Sequence, residues 1–444
     1  MKTLWGEGEK KVSKQVFDWT QSFSFDFVLF PYDVMGSIAH IQMLCKCGII
    51  TKKEEKILTL AFKSILNDYN SGNLKIIKEF EDVHSCVQFL VEEKVGNVAK
   101  KIHTARSRND QISLDTRLYC RDTVNKIINS MEKLINIIAK TGADNKDIII
   151  PGYTHLQHAQ PVFLSHHLNS YIEMLERDIW RFKDALKRVN ILPLGSCAIA
   201  GTSLNIDRAF VAKKLGFDSI SKNSMDAVSD RDFVIELLSG CAIAGMHLSR
   251  ICEDIILWNT QEFGWVVLDD SVVTGSSMMP HKKNPDVLEL IRGKTGILYG
   301  NLVQMLTLMK GLPMTYNRDM QEDKPPLFSS IQTIEKSVSV LGLVFSLIGF
   351  NREKIKQSLL DEELYATDIA EYLVKKGVSF RDAHRAVGNL MVYVKNKETS
   401  VSKLSKEELK KIHPELNMDI MNLLNPQTSV ALKKSFGGTG QKMD

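Results

Sequence analysis

The sequence predicts an all-α protein built from long helices, and two observations support this prediction. No proline lies between Pro31 and Pro151, between Pro161 and Pro193, or between Pro193 and Pro280. Proline breaks a helix interior because it lacks an N–H and clashes with the preceding turn, so these intervals can hold unbroken helices. Within them apolar residues recur every three or four positions, whereas the strict alternation of a strand is hard to find. We therefore expect a helical bundle.

Stretches with the helical period follow one another along the chain. The clearest covers residues 164–192, where Leu168, Ile172 and Leu175 belong to an apolar stripe. A helix of this length would span roughly 45 Å. Similar patterns predict helices over 113–138, 232–262, 286–309 and 329–348.

The predicted helix over 232–262 is apolar around nearly its whole circumference. Such a helix must be buried on all sides. That is hard to arrange within one three-layer subunit and easy in an oligomeric bundle. We therefore expect a homo-oligomer.

Beyond residue 355 the helical patterns become shorter, which indicates a change of domain. We expect an N-terminal helical domain over 1–106, a central long-helix bundle domain over 107–355 and a small helical domain over 356–444. The lysine-rich run over 402–416 is most simply a solvated helix face rather than a nucleic-acid site.

Composition and charge are those of an ordinary globular protein. The net charge is +4, with 57 basic and 53 acidic residues, which is too mild and too mixed to indicate nucleic-acid binding. The seven cysteines include no CxxC pair and predict free thiols in a reducing compartment. The first 15 residues are too polar for a signal peptide, and no uninterrupted apolar run reaches transmembrane length. We expect a cytoplasmic protein with no nucleic-acid or membrane partner.

The first polar cluster is HTARSRNDQ, residues 103–111. Ser107, Asn109 and Asp110 are all helix-capping types, so the cluster can be read as a helix N-terminus. The alternative is an anion site, because arginine forks bind carboxylates bidentately and helix N-termini favour anions. The residues alone leave both interpretations open.

Two further clusters precede predicted helices. PGYTHLQHAQP (151–161) places His155 and His158 in a proline-flanked loop with no carboxylate near them in the sequence, which argues against a metal site. A lone histidine in such a loop is more often structural than catalytic. SMDAVSDRDF (224–233) crowds three aspartates at a helix start, where acids are favourable, but this does not account as well for Arg231.

The most unusual stretch is GSSMMPHKKNPDVLE, residues 275–289. Its end is a helix start, with Asn284 as N-cap, Pro285 at the first position and Asp286 in the first turn. That does not account for the glycine, two serines and two lysines before it. A hydroxyl-rich, doubly cationic loop hinged on glycine is typical of a lid that closes on an anion. A fifth stretch, TYNRDMQEDKPPLF (315–328), is uninformative as a bare loop.

Taken together, these segments resemble the fumarase/aspartase superfamily. Its signature, GSSxMPxKxN followed by a glutamate, reads GSSMMPHKKNPDVLE here. Within the superfamily, ARSRNDQ, PGYTHLQHAQP, NSMDAVSDRDF, MPHKKNPDVLELIRGKTG, YNRDMQEDK and the C-terminal SVALKKSFGGTG are similar to the argininosuccinate lyase family. The resemblance covers nearly the whole chain, in the expected order.

The chain departs from the family pattern at a few positions. Ala105 replaces the usual glycine before RSRND, His281 the usual glutamine before the two lysines, and His158 the usual arginine after THLQ. The N-terminal motif after Trp5 continues GEGEKK rather than the common GGRF. None of these changes removes a group that the chemistry needs, although His281 adds a titratable group beside the lid.

The resemblance implies cleavage of argininosuccinate to arginine and fumarate by general acid/base catalysis through a carbanion/aci-carboxylate intermediate. Ser276 matches the family's catalytic serine and His155 its catalytic histidine. Glu289 would orient that histidine from another subunit, and Lys282 would hold the doubly charged carboxylate. Whether Ser276 is the base and His155 the acid, or the reverse, stays open, with the first arrangement favoured.

The resemblance also implies the substrate-binding residues and the assembly. The binding residues would be Ser22, Ser107, Arg108, Asn109, Thr154, Arg231, Asn284, Tyr316, Gln321 and Lys324. Three mostly helical domains would assemble a homotetramer whose active sites each draw on three subunits, with no cofactor and no metal.

Two alternatives remain at this point. One is another lyase of the superfamily that releases fumarate from a different amine. The other is a non-catalytic structural protein, since some relatives serve as lens crystallins. The presence of every expected catalytic group argues against the second.

Overall fold

The computed structural model describes residues 13–76 and 79–440. The polar N-terminal stretch and the Trp5 motif therefore lie, except for residues 13–15, outside the described residues. The α-helices are α1 Lys14–Thr20, α2 Phe23–Asp26, α3 Phe30–Lys46, α4 Lys52–Asn70, α5 Val83–Val95, α6 Arg108–Asp144, α7 Leu164–Val189, α8 Arg208–Leu215, α9 Ser224–Ser229, α10 Asp232–Asn259, α11 Asp286–Met309, α12 Lys324–Leu347, α13 Arg352–Ser358, α14 Ala366–Lys375, α15 Phe380–Asn396, α16 Lys406–Ile412 and α17 Pro426–Leu432.

Short 3-10 helices and strands connect them. The 3-10 helices are Phe27–Leu29, Gly96–His103, Asp270–Val272, Arg318–Asp323, Glu362–Tyr365, Val401–Lys403 and Met418–Leu423. The strands are β1 Ile149–Thr154, β2 Gln157–Phe163, β3 Ile191–Leu192, β4 Ser219–Ile220, β5 Val266–Val267, β6 Thr274–Gly275, β7 Lys283–Asn284 and β8 Gly349–Phe350. They form two-stranded sheets, of which β3–β4 is parallel and β1–β2, β5–β8 and β6–β7 are antiparallel.

The predicted all-α architecture is confirmed, and so are the predicted long helices, which are α6, α7, α10, α11 and α12. Two helices begin five residues earlier than predicted, α6 at Arg108 rather than 113 and α12 at Lys324 rather than 329. Pro325 and Pro326 lie in the first turn of α12. The N–H that proline lacks would have no partner within the helix there, so the prolines do not prevent the helix from starting.

The interpretation of residues 151–161 as a loop is wrong, because they form the greater part of the β1–β2 hairpin. The prolines that suggested a loop face one another across it, as Pro151 and Pro161. A two-stranded sheet has only edge strands, where a missing N–H is tolerated. Next to them, a Cβ on Gly152 would lie 2.8 Å from the carbonyl oxygen of Gln160, so the close strand approach requires glycine.

The chain divides into two compact units, and each long helix contributes residues to both. The first unit comprises Met1–Ser130, Arg177–Met246 and Lys294–Lys336, and the second comprises Met131–Glu176, His247–Gly293 and Ser337–Asp444. The division into three domains, with boundaries near 106 and 355, stays a prediction.

In the first unit, small residues on α10 allow close helix packing. A Cβ on Gly240 would lie 3.0 Å from the ring of Phe182, and one on Gly245 would lie 2.4 Å from Leu298. Thr295 donates a hydrogen bond of 3.0 Å to the carbonyl oxygen of Gly245, which fixes α11 against α10 in this unit.

The core of the second unit includes an aromatic cluster and an apolar cluster on its C-terminal helices. The aromatic rings of Trp258, Phe263 and Trp265 lie close together, with Trp265 only 2% exposed. A separate apolar cluster joins α14, α15 and α16 through residues such as Leu373 and Leu390.

Two helical stretches have the length and hydropathy of a membrane span, namely Lys14–Lys46 and Asp232–Asn259. In each, 61% of the apolar window is buried inside the protein. Core helices of soluble proteins meet the same length and hydropathy criteria, so these stretches are weak indications of a membrane segment.

Candidate active site

Strands β6 and β7 form the base of a loop, here called the serine loop (residues 275–284). Within it the Oγ of Ser276 accepts hydrogen bonds from the backbone N–H groups of Met278 at 3.3 Å and Met279 at 3.0 Å. Donors aimed at an oxygen stabilise its negatively charged form. These two donors would stabilise negative charge on the Ser276 oxygen, which is compatible with the predicted role of this serine.

The two lysines of the serine loop have different surroundings. Lys283 forms an ion pair with Asp270. Lys282 is exposed, and its ammonium group has no ion-pair partner among residues 13–76 and 79–440. Lys282 is therefore the lysine whose charge is available to an incoming anion.

Helix α11 begins directly after this loop at Asp286, the first residue of the predicted helix over 286–309. The carbonyl oxygen of Pro285 accepts hydrogen bonds from the N–H groups of Leu288 at 2.9 Å and Glu289 at 3.1 Å. Pro285 rather than Asn284 therefore stands at the N-cap position, because its carbonyl is the first to accept a helical hydrogen bond. Glu289 lies exposed in the first turn of α11.

Thr154 and His155 occupy the exposed tip of the β1–β2 hairpin. His155 and Leu156 form its two-residue turn, with φ of 54° and 57°. Positive φ at both central positions is the type I′ pattern, which ordinarily contains Asn-Gly. Side-chain-bearing residues in this conformation cost of order 1 kcal/mol or more each, and such strain is often found at functional sites. The candidate catalytic histidine therefore sits in a strained turn.

The capping interpretation of residues 103–111 is confirmed. Asp110 accepts a hydrogen bond from the N–H of Ser107 at 3.0 Å, and Ser107 Oγ accepts one from Asn109 N–H at 3.3 Å, at the start of α6. The other carboxylate oxygen of Asp110 accepts from the N–H groups of Gly195 and Cys197 at 2.9 and 2.8 Å. Burial raises the pKa of Asp110 to about 6. Ala105, which replaces a family glycine, has φ of 55°.

Arg108 already has protein partners in this structure. Its Nε lies 3.2 Å from Asp82, and its Nη2 donates to Ser85 Oγ at 3.1 Å. The nearby Asn109 amide donates to the carbonyl oxygen of Ala198 at 3.1 Å. The segment therefore forms a capped helix start whose arginine contacts protein groups, and the anion site stays a prediction.

Arg231 does not offer a surface to a ligand. Its side chain is 0% exposed and forms an ion pair with Asp323, which is also fully buried. The other oxygen of Asp323 accepts a hydrogen bond from Lys324 Nζ at 2.8 Å. Burial alone would raise the pKa of Asp323, but Lys324 and Arg231 outweigh it and hold that pKa below its ordinary value. The burial of Arg231 argues against the expected direct contact with substrate, and Lys324, which shares Asp323 with it, is itself only 3% exposed.

Ser22 and Gln321 lie on segments that meet in the first unit. Ser22 Oγ donates to Asp26 at 2.5 Å, and its N–H donates to the carbonyl oxygen of Glu81 at 2.8 Å. Gln321 donates to the carbonyl oxygen of Thr20 at 3.2 Å. The chain thus brings residues 20–26, 81–85 and 316–324 together.

Tyr316 belongs to the third of these segments. Burial raises the pKa of its phenol, which therefore remains a neutral hydrogen-bond donor at neutral pH.

The predicted site residues are distributed over both units. Those in the first unit are Ser22, Ser107, Arg108, Asn109, Arg231, Tyr316, Gln321 and Lys324, and those in the second are Thr154, His155, Ser276, Lys282, Asn284 and Glu289. The first set consists mainly of binding groups and the second contains every candidate catalytic group.

Sequence reasoning missed the acidic partners of the predicted cations. Asp323 is adjacent to Lys324 in the sequence, so their pairing could have been predicted. Asp82 and Asp26 lie in segments without an unusual motif, so nothing in the sequence indicated their role. Asp361, which lies 2.6 Å from the Nδ1 of His158, is 203 positions away in the chain. The absence of a sequence-near carboxylate therefore did not mean that His158 lacks one.

A buried cluster in the first unit has metal-ligand chemistry. Possible ligand atoms of Asp33, His84 and Asp115 lie within 4.8 Å of one another. Burial would raise the pKa of Asp33, but His84 and two nearby arginines lower it to about 2, whereas burial raises that of Asp115 well above its ordinary value. Positively charged side chains of the protein thus stabilise the carboxylate of Asp33 at this cluster. The expectation of no metal stays a prediction.

The chain is similar to known families over nearly its whole length. A family model described as Lyase matches residues 6–300, and one described as Argininosuccinate lyase C-terminal matches residues 363–431. Argininosuccinate lyase of Caldanaerobacter subterraneus subsp. tengcongensis is 48% identical over 435 residues, covering 98% of each chain. That of Syntrophus aciditrophicus is 47% identical over 434 residues, covering 98% of this chain and 92% of its own.

Solved structures of other proteins share the fold of this chain. EDDS lyase in complex with formate matches with a TM-score of 0.84 at 27% identity, over 96% of this chain and 85% of that one. A class II fumarase from Schistosoma mansoni matches with a TM-score of 0.78 at 17% identity, over 93% and 92%, which shows a common fold. The serine loop, the hairpin histidine and the capped arginine segment therefore occur in a chain that belongs to the argininosuccinate lyase family.

Proposed function

We propose that this protein is an argininosuccinate lyase, a carbon–nitrogen lyase that eliminates fumarate from argininosuccinate to give arginine, the last step of arginine biosynthesis. The observation that supports this most strongly is 48% identity to a curated argininosuccinate lyase over 98% of both chains. The chain also keeps every candidate catalytic group of the family pattern.

The reaction removes a proton from the carbon next to a carboxylate and then breaks the C–N bond. The carboxylate must tolerate a second negative charge in the intermediate, so the site needs a base, cations or donors around that carboxylate, and an acid at the leaving nitrogen. Ser276 is the base in this proposal, since two N–H groups already point at its Oγ. Lys282 and Asn284 hold the dianion, and His155 delivers the proton with Glu289 as its orienting carboxylate.

The remaining predicted binding residues hold the rest of the substrate in this proposal. Arg108 and Lys324 provide positive charge for its carboxylates, while Ser22, Tyr316 and Gln321 provide neutral hydrogen-bonding groups. Ser107, Asn109 and Thr154 add further polar contacts. Asp323 and the buried Arg231 fix the position of Lys324 rather than touching the substrate. Side chains supply all the proton and charge handling, so no cofactor is required.

The reaction is tested by the ultraviolet absorbance of released fumarate, with argininosuccinate, adenylosuccinate, aspartate and malate offered separately. We expect turnover with argininosuccinate alone, together with arginine in equal amount. Fumarate from one of the other substrates instead would support the alternative superfamily lyase. No turnover with any substrate would support the structural-protein alternative.

The assembly completes the proposal: a cytoplasmic homotetramer whose active sites are shared between subunits, with no nucleic-acid or membrane partner. Apolar side chains of the long helices support it, because they remain exposed in the single chain. Examples are Leu290 at 60%, Val303 at 61% and Leu343 at 50%. Burying such surface against a second copy is favourable by roughly 25 cal/mol per Å².

Shared sites predict complementation between inactive variants. We expect tetramers of His155→Asn and of Ser276→Ala to be nearly inactive alone, and mixed tetramers to regain activity. A mixed tetramer would contain some sites in which both residues are intact, because the two groups would come from different subunits. The measurement is fumarate release before and after subunit exchange, which labelled subunits verify independently. Verified exchange without recovery of activity would contradict shared sites.

A further inference from the structure

His158 lies next to the hairpin tip that presents His155. It pairs across the hairpin with Tyr153, and the next pair, Thr154 with Gln157, closes directly on the two-residue turn. Any restraint on the pair of His158 and Tyr153 therefore acts on the base of the tip.

Both ring nitrogens of His158 are engaged. Nδ1 lies 2.6 Å from the Oδ2 of Asp361, and Nε2 lies 2.8 Å from the hydroxyl oxygen of Tyr153. A carboxylate can only accept, so Nδ1 carries the proton that it donates to Asp361. In the neutral ring Nε2 then accepts from the tyrosine hydroxyl.

Both partners of His158 are themselves anchored in the second unit. The Oδ1 of Asp361 accepts from the N–H of Glu363 at 3.1 Å, at the start of a 3-10 helix. The Tyr153 ring lies 6.0 Å from that of Trp265, whose Nε1 donates to Ser358 Oγ at 3.0 Å. The histidine thus connects the strained turn to Asp361 and Tyr153, each of which is held by a further contact.

We propose that His158 is a positioning residue for the elimination: its contacts with Asp361 and Tyr153 hold the hairpin tip so that His155 keeps its place in the strained turn. This rests on the proposed function, in which His155 transfers the proton. The turn has no glycine to relieve its positive φ, so without the restraint other tip conformations become accessible. A small displacement of a proton-transfer group is enough to slow catalysis strongly.

His158 stands where the family pattern has arginine. An arginine can donate to Asp361 but cannot accept the hydrogen bond of the Tyr153 hydroxyl, because a guanidinium has no acceptor. His158→Arg should therefore restore one of the two contacts, which separates the contribution of Asp361 from that of Tyr153.

The first test is kinetic. For His158→Asn we expect kcat to fall by about 10- to 100-fold, as for a misplaced catalytic group, with a smaller change in KM because Thr154 is the one predicted binding residue on the tip. Asp361→Asn should act similarly, and the double variant should be no worse than either single one. His158→Arg should recover part of kcat. Additive losses in the double variant, or a normal kcat in both single variants, would overturn the proposal.

The second test does not depend on activity. Amide hydrogen exchange of residues 153–157 should be faster in His158→Asn than in the unchanged protein. His167→Asn is the matched control, since His167 also contacts an aspartate and a tyrosine, Asp254 and Tyr171, but lies on α7. His167→Asn should change neither the amide hydrogen exchange of residues 153–157 nor kcat.

The two tests distinguish a failure of the proposed function from a failure of the proposed role of His158. If the unchanged protein releases no fumarate from argininosuccinate, the proposed function fails. Amide hydrogen exchange still shows whether His158 restrains the hairpin tip. If the protein is active but hairpin exchange is the same with and without His158, the restraint is wrong while the function stands.

Discussion

Replacement of Ser276 by alanine is expected to lower kcat for argininosuccinate by at least about 10²- to 10³-fold, as removal of one catalytic group typically does. The variant loses the hydroxyl oxygen that accepts hydrogen bonds from the N–H groups of Met278 and Met279 in the serine loop. No core contact is lost, so the fold and the oligomeric state should be unchanged. Fumarate release measures the first effect, and light scattering with circular dichroism measures the second.

Ser271→Ala provides a matched control for this variant. Ser271 is exposed shortly before the serine loop, and its hydroxyl donates only to Asp269, at 2.6 Å. We expect kcat within about twofold of the unchanged protein, because no interaction with the reacting groups is lost. Near-normal turnover in Ser276→Ala would remove this serine from the mechanism, whatever the control shows.

Replacement of Asp323 by alanine is expected to lower the free energy of unfolding by about 3–5 kcal/mol, the range for breaking a buried ion pair from one side. Arg231 would remain in the interior with 0% exposure and no carboxylate. Lys324, whose ammonium now donates to Asp323 at 2.8 Å, would lose its fixed position as well. Denaturant unfolding measures the stability. In the protein that remains folded, KM for argininosuccinate should rise, because Lys324 is a proposed binding residue.

The control for the stability effect is Glu353→Ala. Glu353 also pairs with a lysine, Lys356 at 3.2 Å, but its side chain is 78% exposed. Exposed pairs of this kind contribute little, so a change within about 0.5 kcal/mol is expected. Equal losses in the two variants would mean that the burial of Asp323 is not the source of its effect.

Long helices and site motifs could be predicted from the sequence because both are local patterns. The apolar period fixed α7, α10 and α11 to within a few residues of their observed bounds. The β1–β2 hairpin escaped prediction because its turn is His155–Leu156, not one of the usual glycine-containing pairs, and because proline signals a loop more often than a strand.

Long-range pairs could not be predicted for a different reason. The burial of Arg231 depends on Asp323, which is 92 positions away, and the contacts of His158 depend on Asp361, which is 203 positions away. No periodicity connects such residues, since only the tertiary fold brings them together. The motif identified Arg231 as important but could not tell a ligand contact from a buried support.

The hydrogen bonds at Ser276 have a consequence for how the enzyme would cycle. Acceptor and donors belong to the same short stretch, from Ser276 to Met279, and within residues 13–76 and 79–440 no other group donates to this oxygen. Displacement of the stretch as a rigid piece therefore moves the hydroxyl and its polarising amides together. If the loop closes on a substrate as predicted, the hydroxyl would keep both hydrogen-bond donors, and only its distance from the substrate would change.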